Sequence, residues 1–173
     1  NNVETIAAVV PIINEGGEEY AKIGVGKSTG TKLISACGNI KKQGVYEIDM
    51  TISVEEFIYS DEYCGGIANG KRLKACIAGG SSVPILPANL LLTTAKGEKR
   101  MMNYESLSDG GFATGTMMGS GGFIVLDETQ CVVKHTFTLA RFYRHESCGQ
   151  CSPCREGTGW MEKILKKIDS GKG

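Results

Sequence analysis

Cys148, Cys151 and Cys154 stand at Cys-x2-Cys-x2-Cys spacing inside the run His145-Glu146-Ser147-Cys148-Gly149-Gln150-Cys151-Ser152-Pro153-Cys154-Arg155. No other feature restricts the chain so tightly, because three thiolates two residues apart can meet on one soft ion or cluster only if the backbone between them turns sharply. Gly149 supplies that freedom and Pro153 fixes a φ angle. A fourth donor must come from elsewhere, since Arg155 follows and no cysteine occurs from there to Gly173. Three readings are open. An iron–sulfur cluster of the 4Fe-4S type, with a remote fourth cysteine, fits the tight triplet best. A tetrahedral zinc site of three cysteines and His145 is the second. Disulfides are the third, disfavoured by seven cysteines, an odd number, and by the closeness of the three members.

At 173 residues, 41% of them hydrophobic, the chain can bury a core as one domain or two small ones. Nineteen basic residues balance nineteen acidic ones, so no global field recruits nucleic acid or an anionic membrane, and a protein or small-molecule partner is expected. The longest apolar stretch, Leu86 to Leu92, is broken by Pro87 and Asn89 and is too short to span a bilayer. Twenty-four glycines, about twice the average share of roughly 7%, predict many turns, short strands and few long helices. The chain opens Asn1-Asn2-Val3 with no initiator Met, and we expect it to belong to a longer polypeptide.

Asn2 is a plausible cap for a helix carrying Ile6, Val9, Val10 and Ile13 at helical spacing, with Gly16-Gly17 as the stop. A second short helix is expected over Glu18 to Ile23. Ala21 to Thr29 satisfies a relaxed phosphate-loop pattern but lacks the preceding strand and following helix, so it is read as a glycine-rich linker. Leu33 to Gly38 and Gly44 to Met50 alternate as a hairpin, Ser53 caps a short helix, and Arg72 to Ala78 is a third strand after Asn69-Gly70. Leu90 to Thr94 is a strand or a short helix. Gly110 to Gly122 is glycine-saturated and precedes a strand over Phe123 to Leu126. Asp127 or Thr129 caps a helix from Gln130 to His145, with Val133, Phe137 and Ala140 on one side. Beyond the cysteines, Trp160, Ile164, Leu165 and Ile168 mark an amphipathic helix. The fold class is therefore α+β: a β-grasp-like module followed by the first part of a helical bundle. Cys37, Cys64, Cys76 and Cys131 are read as buried thiols. His145 could donate to a cluster sulfur, and Arg144 and Arg155 could favour a reduced, more negative cluster. Residues 144–159 are expected to order only around a bound metal.

Glu146 to Gly157 resembles the signature of a family of NADH- and FMN-binding flavoproteins, the F subunits of respiratory complex I, NADH:quinone oxidoreductase. Asn1-Asn2-Val3-Glu4-Thr5 resembles the flavin-side motif of that family. Ser35-Ala36-Cys37-Gly38 with Gly44-Val45-Tyr46-Glu47 resembles the start of its SLBB, a ubiquitin-like β-grasp domain. The resemblance implies three parts: residues 1–30 as the end of an FMN/NADH-binding α/β domain, 31–122 as the SLBB domain, and 123–173 as the start of a 4Fe-4S-binding helical domain. It implies Asn1, Asn2 and Thr5 at FMN, and Cys148, Cys151 and Cys154 on a 4Fe-4S cluster whose fourth cysteine would follow Gly173. It further implies an oxidoreductase in which hydride from NADH reaches FMN and single electrons pass to the cluster. The implied partners are the other peripheral-arm subunits, especially the small 2Fe-2S subunit, on the cytoplasmic face of a bacterial inner membrane without direct insertion. The equivalent diaphorase subunit of an NAD-linked hydrogenase or formate dehydrogenase carries a similar cysteine motif, and a non-catalytic interaction module is the alternative for the segment alone.

Overall fold

The computed structural model describes residues 2–108 and 115–172. In chain order the elements are α1 (Val3–Glu15), α2 (Gly17–Tyr20), β1 (Gly24–Val25), β2 (Ser28–Thr29), β3 (Lys32–Gly38), β4 (Gly44–Ile48), α3 (Val54–Tyr59), β5 (Leu73–Ala78), β6 (Ile85–Pro87), α4 (Ala88–Leu92), α5 (Tyr104–Ser108), β7 (Gly122–Asp127), α6 (Val132–Glu146) and α7 (Ser152–Asp169). They fall into two compact units, 1–128 and 129–173.

The first unit is built on a five-stranded sheet of order β4-β3-β7-β5-β6. β3 and β4 form the expected antiparallel hairpin, with Lys32 opposite Ile48 and Ala36 opposite Gly44. β5 and β6 form a second antiparallel pair. β7 enters between the hairpins, parallel to β3 and antiparallel to β5. Two hairpins joined through a helix and sealed by a central parallel strand are the β-grasp arrangement. A boundary after Gly122 is therefore too early: the strand at 122–127 is the middle of this sheet, and the unit runs on to Glu128. β7 can lie this close to β3 because of Gly38, at φ +96, where an added Cβ would stand 2.2 Å from the Val125 carbonyl oxygen.

Alternation along β3 puts Lys32, Ile34 and Ala36 on the buried face and Leu33, Ser35 and Cys37 on the exposed one. Against the buried face lies α3, opened by Ser53, whose hydroxyl accepts the Glu56 N–H at 3.1 Å. Its Val54, Phe57 and Ile58 are buried. Phe57 meets Phe123 edge to face, with centroids 5.2 Å apart, and Tyr46 in the same manner at 5.7 Å. Arg100, only 1% exposed, is held by main-chain carbonyls: Nε donates to Leu90 O and Nη2 to Thr93 O, both at 3.0 Å, and Nη1 donates to Ser106 O. A guanidinium taken out of water must find such acceptors, and these tie α4 and the turn after it to α5. Residues 90–92 are helical rather than extended.

Before the sheet, β1 and β2 pair as a small ribbon turning at Gly26-Lys27, so the phosphate-loop pattern is coincidental. Asn2 caps α1 as expected, its side-chain oxygen accepting the Glu4 N–H at 2.8 Å. The apolar stripe of α1 is not buried, however: Val3, Ile6, Val10 and Ile13 are 86%, 56%, 60% and 74% exposed. The half-buried positions are Glu4, Ala8, Pro11 and Ile12.

In the second unit α6 and α7 pack on each other. α6 begins after Cys131, with neither Asp127 nor Thr129 at its cap. Ala140 and Thr158 are the buried residues of this helix pair. On α7, Trp160, Met161, Ile164 and Ile168 are all about half exposed or more. Both helices expected on either side of the cysteines are present, and few of the glycines fall in them. No helix among the described residues is long and apolar enough to cross a membrane.

Candidate functional site

Of residues 144–159, only 147–151 lie outside helix: α6 runs to Glu146 and α7 begins at Ser152. Two local features shape this link. Pro153 stands in the first turn of α7, where its missing N–H costs nothing and its fixed φ favours a helical start. Arg155 then folds back over the link, Nη1 donating to Gly149 O at 3.0 Å and Gln150 O at 3.5 Å, and Nη2 to Ser152 Oγ at 3.2 Å. Cys151 is thereby the helix cap and Cys154 part of its first turn.

All three thiols of the triplet are free and exposed. Cys154 Sγ lies 3.3 Å from Ser147 Oγ, and that hydroxyl also accepts the Gly149 N–H at 3.3 Å. Among the described residues no three His, Cys, Asp or Glu side chains are gathered as a metal ion requires. The donor set itself fits an iron–sulfur group: three unbridged, accessible thiols within seven residues, around Gly149 at φ +72. The Nδ1 of His145 pairs with Glu146 Oε1 at 2.8 Å. Arg144 is likewise engaged, with Glu162 of α7.

The second site is a cavity of about 460 Å³ in the sheet unit, lined by Asn2, Glu4, Thr5 and Ala8 of α1, Tyr20, Thr31, Lys32, Tyr104, Gly119 and Ser120. Two of the three flavin-side residues named from the sequence, Asn2 and Thr5, are in its wall, and Asn1 lies outside the described residues, as do residues 110–114 of the glycine-rich stretch. The volume and the mixture of hydroxyl, amide, ammonium and aromatic groups fit part of an organic cofactor such as a flavin. Tyr20 holds its place because Gly30, at φ +82, leaves room for the ring; a Cβ there would stand 2.4 Å from it. Tyr104 is tied down through its N–H, which donates to the buried Ser28 hydroxyl at 3.1 Å, while that hydroxyl donates to Glu105. Lys32 Nζ bonds Glu4, and the second Glu4 oxygen accepts the Leu33 N–H at 2.7 Å. Burial pushes the Glu4 carboxyl up, but the bonds from Lys32 and Leu33 and the ammonium charge outweigh it and hold the group below its ordinary range.

Glu4, Lys32, Tyr20 and Tyr104 were not singled out from the sequence. Lys32 carried a signal nonetheless, since a lysine in register with Ile34 and Ala36 is a charge on the inner face of a strand. The isolated cysteines divide: Cys64 and Cys76 are buried as expected, whereas Cys37 and Cys131 are exposed. Cys37 takes the outward position of the β3 alternation, and Cys131 stands at a helix start.

Residues 134–173 match the family model described as the NADH-ubiquinone oxidoreductase-F iron-sulfur binding region, a stretch that contains Cys148, Cys151 and Cys154. Over all of its length the chain is 40% identical to F subunit 2 of the NADH-quinone oxidoreductase of Rhizobium meliloti. It is 41% identical over 99% of its length to the corresponding F subunit of Rickettsia bellii. The chain is homologous to part of these F subunits. It spans 38% of the length of those two proteins, and 33% of the mitochondrial 51 kDa subunit of Neurospora crassa NADH-ubiquinone oxidoreductase, to which it is 40% identical. Its fold is also that of part of an NAD+-reducing NiFe-hydrogenase chain in the air-oxidized and H2-reduced states, with a TM-score of 0.77, 29% identity, and coverage of 99% of this chain and 26% of that one. The likeness to F subunits extends through the sheet unit as well as the cysteine segment, so both sites described above fall within it.

Proposed function

We propose that this chain forms the β-grasp and cluster-binding part of a flavoprotein subunit of an NADH:quinone oxidoreductase, and that Cys148, Cys151 and Cys154 supply three ligands to a 4Fe-4S cluster. The observation that carries the reading is the thiol triplet, free and exposed, at the start of α7 within a matched iron–sulfur binding region. When bound, FMN supplies acceptance of a hydride as two electrons and the cluster their onward passage one at a time. The residues of the chain place these groups and shape their surroundings. Asn2 and Thr5 present an amide and a hydroxyl to the cavity in which the flavin would lie. Arg155, bonded to the Gly149 and Gln150 carbonyls, holds a positive charge at the cysteine link, where it would favour the more negative, reduced cluster. The assembly would join other peripheral-arm subunits, including a small 2Fe-2S subunit, at the cytoplasmic membrane face.

The hydrogenase diaphorase reading is favoured by the shared fold, but the 40–41% identity to F subunits against 29% to the hydrogenase weighs toward the quinone-linked enzyme. The test is elemental analysis of the complete polypeptide carrying this sequence, purified without oxygen. Iron and acid-labile sulfide near four each per chain are expected, falling on substitution of Cys148, Cys151 or Cys154 by Ser. Zinc in their place, or no sulfide, overturns the assignment.

A further inference from the structure

We infer that Glu4 and Lys32 form a positioning pair that sets the α1 wall of the 460 Å³ cavity and balances the charge facing it; this rests on reading that cavity as a flavin site. Glu4 lies between Asn2 and Thr5, in the first turn of α1, and all three line the cavity together with Lys32. Both Glu4 oxygens are committed to consecutive residues of one strand: one to the Lys32 ammonium, the other to the Leu33 N–H at 2.7 Å. A carboxylate held at two points on a strand cannot swivel, so the helix turn that bears it is fixed in height and rotation over β3. Farther along α1, Ala8, Pro11 and Ile12 are only half-buried and no residue of the helix is fully buried, so the Glu4 contact is a specific restraint at the turn that carries Asn2 and Thr5.

The pair has a second effect. Lys32 is only 7% exposed, on the inner face of β3, and without a partner its cation would act on whatever occupies the cavity. Glu4 cancels that field. A ligand that changes charge during turnover, as a flavin does on reduction, meets a neutral pair instead of a lone ammonium or a lone carboxylate.

The two effects separate by substitution in the complete polypeptide, with FMN as the probe. Glu4→Asp keeps the charge but shortens the reach, so that one carboxylate no longer spans Lys32 and Leu33. FMN should bind on the order of tenfold more weakly, as small misplacements of binding groups do, with its midpoint potential unmoved. Glu4→Gln, isosteric and still able to accept from Leu33, should raise the potential of the bound flavin, and Lys32→Met should lower it. Thermal melts of each variant report whether the fold persists, and Glu4→Gln, the mildest change, keeps the measurement available if Lys32→Met does not fold. Potentials that stay unmoved or shift the same way in Glu4→Gln and Lys32→Met, or Glu4→Asp binding FMN as tightly as the parent, overturn the inference. A parent polypeptide that takes up no FMN overturns the flavin reading itself, and this inference with it.

Discussion

Single side chains separate reactive from inert chemistry here. Burial pushes the Cys64 thiol up to about 12 and Cys76 well above its ordinary value, so both stay protonated and closed to reagent. The other five cysteines are exposed. Brief alkylation of the native, metal-free chain at neutral pH should therefore give five adducts by mass spectrometry, and seven after denaturation. With a cluster on Cys148, Cys151 and Cys154 the native count should fall to two, on Cys37 and Cys131. A pH dependence follows from Glu4. Its folded-state pKa lies below the ordinary 4.5, so its bonds to Lys32 and Leu33 stabilise the fold fully above about that pH and are lost as pH falls through the depressed value. Acid unfolding followed by circular dichroism should show a shallower acid limb in Glu4→Gln. The cysteine spacing was legible without coordinates because it is local. The Glu4–Lys32 contact was not, because it joins residues 28 apart that only the packing of α1 on β3 brings together.

At the level of elements, the hairpins and the α3 cap follow from rules that act over a few residues. Ser53→Ala removes the acceptor of the Glu56 N–H and should cost about 1 kcal/mol in chemical denaturation. Phe57→Ala, which empties a fully buried site between Tyr46 and Phe123, should cost about 3–5 kcal/mol in the same assay. The strand at 122–127 was recognisable as a strand, yet its place was not, since parallel pairing with β3 joins residues nearly ninety positions apart and leaves no turn sequence behind. The α1 stripe misled for a related reason. Periodicity shows which side of a helix is apolar, and does not show whether this chain covers it.

For the whole molecule, the two units are unequally supported. The sheet unit encloses an extended hydrophobic core, while the helix pair buries only Ala140 and Thr158 of its helical residues. Hydrogen exchange of the metal-free chain should thus find the amides of α6 and α7 opening well before those of β3, β5 and β7. In the complete polypeptide, reconstitution with iron and sulfide should slow α7 most, because ligands that bind only the folded form stabilise it by mass action. Comparable protection in both units of the metal-free chain would contradict this ranking.

Val3, Ile6, Val10 and Ile13 of α1 give the molecule one further trait. Four bulky aliphatic groups in a single row facing water make the segment sticky. Concentrated on its own, it should sediment as clusters that dissolve on dilution, and glutamate at Ile6 and Ile13 should keep it monodisperse.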